Sequence, residues 1–231
     1  MNVEASRTGK AAEFGCLYLG IPVLLRLMPE ISRATGVKLS IPIVPALLVM
    51  SGFVLTTLLR TTDFKVGDLF TASSATRRDW LHMLGRFALL ATILSAVLAV
   101  YRPDALLRLP RERPHLWMMV MFFYPIASVI PQGIVYRAFY KFRYSKLFPV
   151  AFQTLVGAAI FSFAHLPFAN PFAITFTFAG GLMFLASYKR TGSLLLSSLE
   201  HALYGDFIFT IGWGQYFFHA GTLRLMEQLQ Q

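Results

Sequence analysis

Charge is what this sequence has least of. Only 14% of its 231 residues are charged and 56% are hydrophobic, where a soluble domain of this size carries about 25% charged residues. Cysteine is nearly missing: the single Cys16, inside the first apolar run, excludes an intramolecular disulfide and any cysteine-based zinc pattern. Acidic residues are scarce, 11 against 21 Lys and Arg, for a net charge of +10. In a soluble chain that balance would point to nucleic acid. Here the basic residues sit at the ends of apolar runs, where orientation signals and lipid headgroup contacts belong, so membrane lipid is the expected partner and nucleic acid is not. The N-terminus has no signal-peptide cleavage site behind a short apolar core, and the first run is expected to stay as an anchor. No internal repeat is present, which weighs against transporters built from duplicated halves.

What the chain does have is long apolar runs. A bilayer-crossing helix needs roughly 20 mostly apolar residues. The expected fold class is all-α, a polytopic transmembrane helical bundle of about seven spans: Phe14–Met28, Ile41–Leu59, Leu84–Tyr101, Trp117–Tyr140, Phe148–Phe168, Phe172–Tyr188 and Ser193–Phe218. Pro42 and Pro45 open the second, where missing amide donors cost least. Thr61–Asp79 is polar and reads as a segment lying on the membrane surface, with Trp80 at the interface. Arg102–Pro114, with three prolines and four arginines, reads as an exposed linker. The expected organisation is N-terminal helices and basic linkers over 1–116, core helices over 117–218 and a tail over 219–231.

The loop cations are unevenly shared. One side holds Arg7, Lys10, Arg60, Lys65, Arg77, Arg78, Lys141, Arg143, Lys146, Lys189 and Arg190; the other holds Arg33, Lys38, Arg102, Arg108, Arg111, Arg113 and Arg224. The positive-inside rule therefore favours a cytoplasmic N-terminus in a cytoplasmic (inner) membrane.

Ionisable groups in mid-span cost about 2.5–3.5 kcal/mol each at a helix centre, so they face a protein interior or a wet cavity. In the third span, His82 and Arg86 lie near one end and can snorkel. The last four spans differ: they hold Gln132 and Arg137, then His165, then Glu200, His201 and Asp206. Phe161 and His165 are four apart and share a helix face; His201, Tyr204 and Gly205 share another. Any one of these residues is more often helix-to-helix glue than a catalyst. Arg137 can equally snorkel toward Lys141. The stripe Phe207, Phe209, Trp213, Tyr216, Phe217 and Phe218 reads as lipid-facing. As a set, the mid-span polar groups favour a functional cavity.

Three ordered segments resemble the CAAX-prenyl-protease and bacteriocin-processing (CPBP) intramembrane endopeptidases, over roughly Tyr124–Phe218. That family carries Glu-Glu-x-x-x-Arg, Phe-x-x-x-His and His-x-x-x-Asn or Asp on successive membrane helices. Gln132-Gly133-Ile134-Val135-Tyr136-Arg137 is similar to the first, Phe161-Ser162-Phe163-Ala164-His165 matches the second, and the stretch around His201 resembles the third. The resemblance implies catalytic roles for Arg137, His165 and His201. The two glutamates, which in the family activate water and hold the arginine, are here Gln132 and Gly133. The Asn or Asp that helps bind the oxyanion is Gly205.

With no glutamate there, His165 is a candidate general base, since neutral imidazole accepts a proton near physiological pH. His201 can donate to an oxyanion, Gln132 can orient water or substrate through its amide, and Glu200 is the preferred substitute carboxylate base. Two His and a carboxylate could also bind zinc, but no His-Glu-x-x-His helix exists, and neither a metal nor a cofactor is expected. The function implied is an intramembrane endopeptidase acting on a membrane-bound or lipidated polypeptide. A catalytically silent relative working as a chaperone or scaffold, and a small channel or transporter, stay open as alternatives.

Overall fold

The computed structural model describes residues 7–39, 41–71 and 75–217, and the tail expected over 219–231 lies outside them. Among the described residues there is no β-strand. The main helices are α1 (Arg7–Thr35), α2 (Ile43–Thr61), α3 (Arg77–Tyr101), α4 (Pro114–Leu147), α5 (Gln153–Phe168, its last residues a tight 3₁₀ turn), α6 (Pro171–Thr191) and α7 (Leu194–Ile211). Five of them, α1, α2, α3, α4 and α6, are long and apolar enough to cross a membrane. Many of their apolar side chains are exposed, Val49, Phe53, Leu89 and Val100 among them. Lipid is the solvent that makes such faces stable. The chain is a multi-pass, all-helical membrane protein.

The helices divide into two compact units, Met1–Phe64 with Ile134–Leu185 and Lys65–Gly133 with Ala186–Gln231. Both α4 and α6 run from one unit into the other.

In the first unit the second half of α4 is the centre. Ile134 through Tyr140 are buried without a break, which marks a helix covered on all sides. Ile134–Tyr144 is wound in wide π turns, a geometry that displaces the usual i→i+4 backbone bonds. The Tyr18 hydroxyl of α1 donates to the carbonyl of Val135 at 2.8 Å. α1 has a π turn of its own, Cys16–Gly20, just before Pro22, whose missing N–H such a turn accommodates. Arg143 holds Glu13 through two bonds of 2.9 and 2.7 Å, so this cation is a helix-to-helix link as well as a flank charge. α5 starts only at Gln153, five residues later than the hydrophobic run suggests. Phe148 is extended, and the Phe152 N–H closes a turn on Pro149. α5 is consequently too short to be counted with the five spans. Gly157 and Gly181 let α5 and α6 approach closely: a Cβ at 181 would lie 3.0 Å from the Ala158 backbone. Small residues serve this purpose in membrane bundles.

In the second unit α3 begins at Arg77, seven residues ahead of the expected Leu84, because Thr76 and Asp79 form a reciprocal capping box. Trp80 therefore sits on the first turn of α3. Between α2 and α3, the described residues of the expected surface segment hold only a 3₁₀ turn, Val66–Leu69. Asp79 also pairs with Arg190 at the end of α6. The Arg102–Pro114 stretch contains two short helical turns, Pro103–Ala105 and Arg108–Glu112. On it, Arg102 binds Asp104 at 3.0 Å and lowers the carboxyl pKa. α7 stops at Ile211, short of the expected Phe218, because Gly212 takes φ +129 against the Ala105 carbonyl, a conformation only glycine adopts readily. The aromatic stripe beyond is not wholly lipid-facing: Trp213 is buried and its indole N–H reaches the Leu94 carbonyl at 3.2 Å, while Phe209 packs on Tyr124.

Candidate active site

The expected site residues fall in both units: Arg137 and His165 in the first, Gln132, Glu200 and His201 in the second.

His165 sits where α5 gives way to its final tight turn. Its Nδ1 is 2.8 Å from the Phe161 carbonyl. A carbonyl only accepts, so Nδ1 carries the proton and Nε2 keeps its lone pair. The ring is held between two aromatics, stacked on Phe168 at 5.7 Å and edge-on to Phe161 at 5.0 Å. Phe161 is the first residue of the Phe-x-x-x-His signature, and it supplies both the acceptor and one wall. Its ring also meets Tyr136 and Phe184.

Arg137 is 5% exposed. It does not snorkel to the chain end of α4; its guanidinium lies over the ring of Phe184 at 5.9 Å. Tyr136, Arg137, Gly157, Phe161, Gly181, Phe184 and Leu185 line a narrow crevice. A cation in such a place gains from the aromatic face.

In the second unit Gln132 donates its amide to Ser128 Oγ at 2.6 Å, one turn earlier. Its carbonyl oxygen, Oε1, is buried with no hydrogen bond. The Gln132 amide thus keeps an acceptor in reserve.

Glu200 and His201 are adjacent on α7 and are claimed by different helices. The Glu200 side chain is 0% exposed and pairs with Arg86 of α3, which also donates to Ser187 at 3.3 Å. The second carboxylate oxygen, Oε2, is buried with no hydrogen bond. Arg86, read from the sequence as a snorkelling residue, is in fact the counter-ion of a buried carboxylate. A lone arginine in the apolar run Leu84–Tyr101 was the signal that such a partner existed. His201 is buried, and its Nε2 lies 3.1 Å from the Tyr124 hydroxyl of α4. Asp206 is half-buried with Oδ1 unpaired. Among the described residues no three His, Cys, Asp or Glu side chains are grouped closely enough to hold a metal ion.

Chemically, the first unit offers an imidazole acceptor and an aromatic-lined cation. The second offers an imidazole, a phenol, an amide acceptor and a carboxylate balanced by arginine. Tyr124, Arg86, Ser187 and Ser128 are the participants that sequence spacing did not single out.

No curated protein and no solved structure matches the chain. Residues 114–205, under half of the chain, match the family described as Type II CAAX prenyl endopeptidase Rce1-like. The matched stretch contains Gln132, Arg137, His165, Glu200 and His201 and ends at Gly205. That range spans the three segments that resemble the CPBP signatures, and it is this stretch that is similar to the CAAX protease-like family.

Proposed function

We propose that the protein is an intramembrane endopeptidase that hydrolyses a membrane-associated, lipidated polypeptide without a metal. His165 takes the proton of the attacking water through Nε2. As the carbonyl carbon becomes tetrahedral, Arg137, in the same unit as His165, supplies positive potential to the oxyanion. His201 as an oxyanion donor and Gln132 as an amide that orients water or substrate are proposed on the resemblance to the CPBP signatures alone. The C–N bond then breaks, and the new amine leaves with the proton held on His165. Glu200 has one oxygen committed to Arg86. It holds the helix that carries His201, with Oε2 as a secondary proton acceptor. The membrane is proposed to be the cytoplasmic one with the N-terminus inside, on the strength of the basic-residue count.

The observation that carries this reading is the bond from His165 Nδ1 to the Phe161 carbonyl, which leaves Nε2 as the acceptor a general base needs. Cleavage of a farnesylated CAAX peptide by the full chain in proteoliposomes tests it. His165→Ala and His201→Ala should each lower the rate by about 100-fold or more, and the double variant should be scarcely worse than either, as for groups acting in one step. Retention of activity by both single variants ends the proposal.

A further inference from the structure

Gly205 stands one turn after His201, where the third CPBP signature has Asn or Asp. A Cβ at this position would overlap the ring of Tyr124, lying 2.6 Å from Cζ and closer still to Cε1 and the hydroxyl. The space at Gly205 is filled by a phenol from α4. That phenol points its oxygen at His201 Nε2, 3.1 Å away, with the two rings edge to face at 6.0 Å and 89°. Phe209 backs it on α7 at 5.5 Å. The ring therefore has its own support, and its hydroxyl is directed at the imidazole.

We infer that Tyr124 positions His201, filling the space that Gly205 leaves where the third signature has Asn or Asp. A tyrosine hydroxyl both donates and accepts. It can donate to Nε2 of the neutral ring and accept from Nε2–H of the imidazolium, so it holds the ring in either state. An asparagine side chain one turn along the same helix offers the same two capacities. On this view, the polar group beside His201 comes from a second helix. The inference rests on the endopeptidase reading for its catalytic consequence, but not for the pairing itself.

The test uses the full chain in detergent micelles and in proteoliposomes, with Tyr124→Phe, Tyr124→Ala, Gly205→Asn and the double variant Tyr124→Ala/Gly205→Asn. Ring-nitrogen NMR of ¹⁵N-histidine protein, assigned with His201→Gln, follows the His201 titration independently of activity. Tyr124→Phe, which keeps the ring and so the packing, should move the His201 midpoint by about half a pH unit or more, and should lower kcat on a farnesylated CAAX peptide about 10- to 100-fold. Gly205→Asn alone should lose activity through overlap with the ring. The double variant should recover to within about tenfold of the native rate. An unchanged midpoint in Tyr124→Phe overturns the inference. So does a double variant that melts like the native protein yet cleaves no better than Tyr124→Ala. If the midpoint moves but even the native chain cleaves nothing, the pairing of Tyr124 with His201 stands and the endopeptidase reading falls.

Discussion

Arg86 and Glu200 form an ion pair in which the carboxylate is wholly buried while the arginine side chain is 37% exposed. The asymmetry decides what each mutation does. Removing one partner of a buried pair strands a charge, at about 3–5 kcal/mol for a fully enclosed pair; the partial exposure of Arg86 lowers that to about 2–3 kcal/mol. Arg86→Gln and Glu200→Gln should each destabilise the protein by that amount in denaturant unfolding in micelles. The double variant should be markedly milder than the sum. If Glu200 is also a proton acceptor in catalysis, the double variant regains stability but not cleavage rate. If it regains both, the carboxylate is purely structural.

Gln132 is the place to ask whether the lost glutamate can be restored. Its amide nitrogen donates to Ser128 at 2.6 Å, and in Gln132→Glu the hydroxyl can reverse and donate to the carboxylate instead, so the local geometry survives. A carboxylate there takes a proton from water, which an amide cannot do. Cleavage of the farnesylated peptide should rise at least tenfold and acquire a new acidic limb reflecting the added carboxyl. No rise would mean that residue 132 does not face the attacking water.

Tyr18 is joined to the π-wound part of α4 by its bond to the Val135 carbonyl. Tyr18→Phe leaves the ring packing against Phe14 and Tyr136 intact and removes only the donor. The expected loss is about 1 kcal/mol, within the range of hydrogen bonds in membrane bundles. Thermal unfolding in micelles should show a small drop, and hydrogen exchange should rise first along Ile134–Tyr144. If exchange instead rises first elsewhere, the wide turns are held by packing alone.

The apolar runs made the all-α membrane class legible, because length and hydropathy are local properties. Boundaries failed where a short-range signal was overridden or overlooked. Thr76-x-x-Asp79 is a capping box in plain view ahead of α3. The hydrophobicity of Phe148–Phe152 hid a turn at Pro149, and Gly212 ended α7 inside an aromatic run. The Phe161–His165 relationship was readable because four residues along a helix bring two side chains to one face. The partners of Glu200 and His201 were not readable: Arg86 and Tyr124 come from α3 and α4, at sequence separations of 114 and 77, and no spacing rule reaches that far.

Gly181 joins packing to the imidazole of His165 by a short chain of contacts inside one unit. A Cβ there would stand 3.0 Å from the Ala158 Cα and 3.1 Å from the Phe161 ring. The backbone of α5 cannot yield as easily as a side chain, so the methyl pushes the Phe161 ring. Phe161 provides both the edge contact and the carbonyl that hold His165. Gly181→Ala should therefore cost about 1–3 kcal/mol as an overpacked contact and also reduce cleavage more than lost stability explains. Gly52→Ala provides the control, since a Cβ at that position meets nothing within 4 Å. Unfolding and cleavage measured together on the two variants decide the matter: equal cleavage per folded molecule would show that the position of Phe161 does not govern His165.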